Sequence, residues 1–582
     1  MKNKIREWLL NENAKICFND IMYDYDSICN QIESVARKLS LMKLNSENVG
    51  IYLDRTPNII YSLIATMITG HVYVPVDNTM PTERINFIFS DANVECVITV
   101  SKYKDLLKNK KLILLDDTDN ELLDDRSICD DAMNDDAYIL YTSGSTGTPK
   151  GVKITKHSLH NFIDGVANII DFKEKSTIAC FTSLSFDIFF LESIMALNKG
   201  LYVYFANEQQ VSNPIKSIQL IIQNNIEMLQ LTPSRMQQLI NCDSSIKFLQ
   251  NIKTLMVGGE ALPEALLKKI QDKSTCKIYN MYGPTETTIW SSIGNVTESP
   301  FVHAGYPIKN TRTYIVGEDL GICDFGVKGE LCIAGDGLAK EYYNNPDLTE
   351  GKFIMLSGER AYRTGDYALL SEDNQLKILG RIDNQVKIRG HRIELEEIEN
   401  IITRTGFVDK IVVLAININE NGDKVLVAFY LKNEIDVEIE QLKSALCNIL
   451  PVYMIPREFY PLDEFPLTVS GKVDRNKIII NYLHNSDIVE EEEISDIAIR
   501  VIKTIKKCIA VEDFNINMQT DLASVGVDSV TFVKLIVDLE CEFDIEFMVE
   551  DDMENMVNLK KVYEWVDFVI KRMSSINASP SF

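Results

Sequence analysis

Residues Tyr141 to Val152 read YTSGSTGTPKGV, and their types suit one task, gripping a polyphosphate. Gly144, Gly147 and Gly151 let backbone N–H groups approach an anion and permit positive φ. Thr142, Ser143, Ser145, Thr146 and Thr148 add hydroxyl donors, and Lys150 adds a point charge. A flexible Ser/Gly linker would need neither the lysine nor ordered flanks. A Walker loop would read G-x-x-x-x-G-K-[ST] and run into a helix, whereas Lys150 is followed by Gly151.

The elements that must hold this loop can be read around it. Ala137 to Leu140 is apolar and strand-like, and Val152 to Thr155 alternates as a second strand, so the stretch is a loop between strands. From Asn48 to Thr99 short apolar strands (VGIYL, VYVPVD, VECVITV) alternate with a helix from Pro57 to Gly70. That rhythm predicts a parallel sheet with helices on both faces. VYVPVD itself reads as core packing. Two more strands, Leu255 to Val257 and Lys277 to Met281, run into Gly258-Gly259-Glu260-Ala261 and Tyr282-Gly283-Pro284-Thr285-Glu286-Thr287. Bare backbone at the carboxyl end of a strand is where open α/β sheets bind ligands. Asp187 sits within the apolar run SLSFDIFFLES, where a carboxylate is costly unless paired. Ile393 onward reads as an amphipathic helix. After Asn481 the chain turns polar and acidic (LHNSDIVEEEE), a linker into a further unit of helical period. In that unit Ser529 stands where a helix begins, with Val533, Ile536 and Val537 marking its apolar face.

The chain has 582 residues, which suggests roughly two to four domains. Its 46% apolar content is ample for large cores. A net charge of −26 argues against a nucleic-acid partner. The twelve cysteines are scattered without CxxC or Cys/His clusters, the start MKNKIREWLLNENAK has no signal h-region, and no apolar run approaches ~18 residues. A cytoplasmic, reduced protein with no membrane span and no zinc site is expected.

The YTSGSTGTPKGV loop, taken with YGPTET, YRTGD, GRIDNQVKIRGHRIELEEIE, LTVSGKVD and DLASVGVDSV, resembles nonribosomal peptide synthetase adenylation domains of the adenylate-forming superfamily, followed by a peptidyl carrier. The resemblance covers nearly the whole chain. It implies a large α/β subdomain (1–382), a small α+β subdomain (383–480) hinged at Asp383, a linker (481–490), a four-helix-bundle carrier (491–574) and a tail (575–582). It implies ATP, Mg²⁺ and a 4′-phosphopantetheine attached to Ser529. The phosphate loop from Thr142 to Lys150, with Gly259, Glu260, Ala261, Asn280, Tyr282, Gly283, Thr285, Asp366 and Arg381, would bind ATP and AMP. Tyr282 would stack on adenine, Thr285 would touch the α-phosphate, Asp366 would take the ribose hydroxyls and Arg381 would contact ribose and phosphate. Glu286 would ligate Mg²⁺, the usual setting of carboxylate plus phosphate. Gly390 would let the pantetheine arm pass, and His391 reads as structural. Lys472 would be the catalytic cation where charge builds.

Asp187 matches the residue that holds a substrate α-ammonium, which points to an amino acid rather than a fatty or aryl acid. The family's pocket positions fall at Asp187, Ile188, Leu191, Gln230, Met256, Gly258, Met281, Ile289, Trp290 and Lys472, and the set closely resembles the glycine pattern. It departs at Met256 and Met281, where Leu is commoner, and Met is flexible enough to tolerate some alanine. The expected activity is adenylation of glycine and its transfer as a thioester to the chain's own carrier. The competing readings are another small acid such as alanine, and a non-catalytic scaffold. Against the scaffold, Lys150, Glu286, Asp366, Arg381 and Lys472 are all present. Neither an HHxxxDG condensation motif nor a GxSxG motif occurs, so a phosphopantetheinyl transferase and a downstream condensation or tailoring enzyme are expected partners, with a small activator protein left open.

Overall fold

A computed structural model of the chain describes residues 5, 8, 11–117, 134–144, 147–408, 410–417, 424–431, 439–467, 473–489, 496–508, 520, 522, 529–543, 561–566 and 568–569. The chain divides into two compact units, Met1–Leu239 with Ser245–Arg475, and Ile240–Ser244 with Asn476–Phe582.

In the first unit the β-α-β rhythm folds as its pattern predicts. Asn48–Ile51 pairs in parallel with Val72–Pro75 on one side and Cys96–Thr99 on the other. They belong, among the described residues, to a seven-stranded sheet. The helix Asn58–Ile68 is apolar all round and buried at ten of its positions, so it must be packed on every side. It lies in a core shared with a second sheet, of nine strands among the described residues, since Val49, Tyr138 and Ile154 join Ile178 and Val203 in one buried cluster. The loop expected to grip phosphate joins Asp136–Thr142 to Lys150–Thr155, an antiparallel pair in the seven-stranded sheet.

The two strands with functional ends, Thr254–Gly258 and Lys277–Tyr282, are parallel neighbours in the nine-stranded sheet. Their carboxyl ends therefore open at the same edge. A five-stranded sheet carries the twelve-residue strand Glu359–Leu370, which sets Asp366 opposite Arg381. After Arg381 comes a short hairpin, Val386–Ile388 with His391–Ile393, turning through Arg389 and Gly390 at φ +51° and +79°. The amphipathic helix expected from Ile393 runs Leu395–Arg404 and buries Leu395, Ile398, Ile401 and Ile402. It packs with a sheet that has, among the described residues, three strands, Ile411–Asn417, Lys424–Leu431 and Glu458–Leu462, around a separate core.

In the second unit the described helices include Asp496–Cys508 and Ser529–Phe543. With Val562 and Trp565 they bury Val501, Ile505, Leu535, Leu539 and Phe543. The core-facing stripe of the second helix thus runs through Leu535, Leu539 and Phe543, with Ile536 at its margin; the side chains of Val533 and Val537 lie outside the described residues. Ser529 is the first residue of its helix. The segment whose composition reads as a linker, 481–490, is helical through Val489, as the end of Arg475–Val489.

Candidate active site

The cleft in the first unit gathers strand ends of the large subdomain and the 386–393 hairpin of the small one. Thr142, Ser143, Asp187, Ile188, Gly259, Tyr282, Gly283, Thr285, Ile289, Trp290, Asp366, Arg381 and Gly390 all reach its wall. Residues separated by more than two hundred positions therefore share one surface.

At the side suited to a nucleoside, the Tyr282 hydroxyl donates to Asp366 Oδ2 at 2.6 Å. Arg381 Nη1 donates to Asp366 Oδ1 at 3.1 Å, and its Nε and Nη2 donate to Asp383 at 2.8 and 2.6 Å. Burial, then the Asp366 charge, pushes the Tyr282 phenol well above its ordinary range, so it stays a donor. Asn280 donates to the His303 carbonyl at 2.9 Å and steadies the strand end rather than facing the cleft. Glu260 accepts from Ser234 and, at 2.6 Å, from the Gly390 N–H. Ala261 is exposed.

Gly390 has a specific reason to be glycine. Its φ is positive, and a Cβ there would meet Thr232 Cγ2 at 2.9 Å. His391 beside it stacks on Tyr453 at 3.6 Å between ring centres and meets Phe186 edge-on. Burial lowers its pKa to about 4, so the ring is a neutral packing group.

The side suited to phosphates is a charge cluster. Glu286 is fully buried. Its carboxylate accepts from Tyr342 at 2.7 Å, takes Arg392 Nη1 at 2.8 and 2.9 Å, and lies 3.5 Å from Lys150 Nζ. Burial acts to raise the Glu286 pKa, but Arg392 and Lys150 outweigh it and hold the carboxylate well below the usual range. The same burial, with Arg392 adding repulsion, lowers Lys150 to about 8. A buried carboxylate that draws cations from two elements fits a site for Mg²⁺ shared with nucleotide phosphates. Across the cluster, the Gly144 N–H of the phosphate loop donates to Glu397 Oε2 at 3.1 Å. Gly147, at φ +86°, faces Asn400 of the same helix. Ser145, Thr146 and Lys472 lie outside the described residues.

The end expected to take an amino acid is walled by Asp187, Ile188, Ile289 and Trp290. Asp187 precedes the short helix Ile188–Phe190, which continues as a π-helical turn, Leu191–Met195. Burial raises the Asp187 pKa to about 6, with the Thr285 hydroxyl and the Ile188 N–H opposing. A cationic ligand group would relieve that strain. Trp290 is 1% exposed and rests against bare backbone: a Cβ on Gly258 would sit 2.7 Å from its Cη2 atom. Thr288 and Ile289, both β-branched, take φ of +62° and +67° to swing the tryptophan inward. The Thr288 hydroxyl anchors the turn on the Gly337 carbonyl at 2.7 Å. Leu191, Gln230, Met256 and Met281 are buried, and with Gly258 they stand behind this wall rather than on it. The pocket is shorter than its ten positions suggest because Trp290 and Ile188 seal it.

Arg392, Glu397, Lys387, Arg84 and Tyr342 were not singled out from sequence, yet each holds or lines the site. Arg392, Glu397 and Lys387 fall within the GRIDNQVKIRGHRIELEEIE motif, and charged residues in so ordered a stretch were the available signal.

Residues 9–343 match the family described as AMP-binding enzyme, 397–472 the AMP-binding enzyme C-terminal domain, and 500–566 the phosphopantetheine attachment site. A dimodular nonribosomal peptide synthase of Bacillus subtilis (strain 168) is 35% identical over 81% of this chain, which spans 20% of that protein. Gramicidin S synthase 1 of Brevibacillus brevis is 34% identical over 80% of the chain, which spans 43% of it. Among solved structures, a four-domain nonribosomal peptide synthetase bound to AMP and glycine matches 98% of this chain and 42% of its own, at 29% identity and a TM-score of 0.58. The chain thus spans less than half the length of these relatives.

Proposed function

From a chain that belongs to the AMP-binding enzymes of nonribosomal peptide synthesis, an adenylation domain followed by a phosphopantetheine carrier, we infer a glycine-activating and self-loading enzyme. The observation that carries the glycine reading is the wall formed by Trp290 on Gly258 beside Asp187. An ammonium pairs with the Asp187 carboxylate, and Trp290 and Ile188 close the wall toward which a side chain would extend. The relative bound to AMP and glycine supports the same reading.

In the first step the glycine carboxylate attacks the α-phosphate of ATP, giving glycyl-AMP and pyrophosphate. Tyr282, Asp366 and Arg381 orient the nucleoside, and Thr285 and the phosphate loop orient the phosphates. Glu286 would hold Mg²⁺, which would neutralise phosphate charge. Lys472 stabilises the charge that builds on carboxylate and phosphate. The small subdomain then turns about Asp383. In the second step Ser529 would carry a phosphopantetheine, whose thiol would take the glycyl group from the adenylate and release AMP. The tether keeps that thiol at high effective concentration.

The test is pyrophosphate release across the twenty amino acids, for the wild type and Trp290→Ala. Glycine should lead alanine by roughly 10–200-fold, the discrimination available from one methylene. Trp290→Ala should extend activity to alanine and larger residues. Wild-type activity led by another amino acid, or a variant that gains none, refutes the pocket assignment.

A further inference from the structure

We propose that Thr288 sets the amino-acid selectivity from outside the pocket, as the tie that holds a strained turn, and with it Trp290, against the loop of residues 335–340. This rests on the glycine reading above and adds a positioning residue to it. Thr288 is buried and lies off the cleft wall, so it acts through Ile289 and Trp290, which are on that wall.

Two β-branched residues in succession at positive φ, Thr288 and Ile289, are conformational outliers. Such backbone persists only where its surroundings over-determine it. Part of the restraint is local. The Thr288 N–H donates to the Thr285 carbonyl at 3.2 Å, and the Ser291 N–H to the Tyr282 carbonyl at 2.8 Å. The Thr287 hydroxyl donates to the Pro284 carbonyl at 3.1 Å and lies 2.5 Å from the Ser291 hydroxyl. Gly283 leaves the turn its seat, since a Cβ there would meet Trp290 Cα at 2.7 Å. These contacts join the turn to its own flanks. At the left-handed step itself the tie runs to another element: the Thr288 hydroxyl donates to the Gly337 carbonyl at 2.7 Å.

The far end of that tie is fixed. Gly337 follows the strand Gly329–Gly335, which pairs with the strand carrying Asp366. The Asp336 N–H donates to the Asn310 carbonyl at 3.1 Å, the Ser158 hydroxyl to the Leu338 carbonyl at 3.1 Å, and Arg360 Nη1 to the Ala339 carbonyl at 2.7 Å. Three other elements thus hold the loop. The loop in turn holds the 285–290 turn at two points. The Ala339 N–H donates to the Glu286 carbonyl at 2.8 Å, a backbone bond that no side-chain change at Thr288 removes. The Thr288 hydroxyl holds the step that aims Trp290. Losing that hydroxyl lets the strained step relax and Trp290 retreat, while Glu286 keeps its place. Selectivity and nucleotide binding therefore separate at this one side chain.

Thr288→Val keeps the shape and the β-branch and removes the hydroxyl. In pyrophosphate release by the full chain, its glycine-to-alanine ratio of kcat/KM should fall at least about tenfold, within the span that one methylene allows. Its KM for ATP should match that of wild type. Thr288→Ser, which restores the hydroxyl, should restore the ratio. Gly337→Ala strains the tie from the other side, because its Cβ would stand 3.1 Å from the Thr287 carbonyl oxygen. It should lower the ratio with Thr288 intact, and it decides the case if Thr288→Val is inactive. An unchanged ratio in Thr288→Val and Gly337→Ala overturns the proposal. So does an equal fall in Thr288→Ser, or a fall matched by a rise in the KM for ATP. A second measurement contains no substrate: hydrogen exchange at the Ser291 amide should be at least about tenfold faster in Thr288→Val than in Thr288→Ser. Equal exchange overturns the proposal. If wild type prefers another amino acid, the glycine reading fails by itself; the exchange result still stands, and the ratio is read between that amino acid and the next larger one.

Discussion

Asp187 ties the chemistry of a single group to a measurable pH profile. Its carboxyl pKa is raised to about 6, chiefly by burial. Thr285, Lys387 and Glu286 face it, and only the first two favour ionisation. An ammonium needs the ionised form. As pH falls through about 6 the empty site takes up a proton that glycine must displace, so the KM for glycine should rise, approaching tenfold per pH unit well below that point. Above it the profile should be flat until the amino acid itself titrates. A KM that stays constant through pH 6 contradicts this role. Asp187 was legible in the sequence because a carboxylate in an apolar run demands a reason. Lys150 and Glu286 were legible too, through their motifs. Arg392 and Glu397 were not, because their partners are 106 and 253 positions away and no local pattern marks such a pairing.

The 386–393 hairpin is the element on which the small subdomain's contribution rests. Its turn places two consecutive residues at positive φ, and Gly390 alone lacks a Cβ there. Gly390→Ala would impose a left-handed alanine, costing about 1–2 kcal/mol, and a 2.9 Å contact with Thr232. Transfer to the carrier should slow roughly tenfold or more in single-turnover measurements. Transfer at the wild-type rate would show that the close approach has no part in the reaction. The strands and helices around the hairpin follow from periodicity, as the Asn58–Ile68 helix and its flanking parallel strands show. What periodicity could not reveal is depth. Leu191, Gln230, Met256 and Met281 are buried off the cleft wall, whereas Trp290, following the left-handed turn at Thr288 and Ile289, lies on it. Two β-branched residues in that conformation run against local preference, so no reading of propensity would place them.

At the scale of the molecule, the expected subdivision into a large α/β subdomain, a small one and a helical carrier agrees with the folds and family matches found. The segment marked as a linker by its charge is helical through Val489, since nothing in its composition forbids a solvated helix. Among the described residues no helix is long and apolar enough to cross a membrane. On the proposed function, one chain both activates glycine and receives it. The most direct test is the intact mass of the phosphopantetheinylated chain after incubation with ATP, Mg²⁺ and each amino acid in turn. A mass increase of one glycyl residue on Ser529 is expected, abolished by Ser529→Ala and by hydroxylamine. A chain that gains another amino acid's mass, or releases pyrophosphate without gaining any, would contradict it.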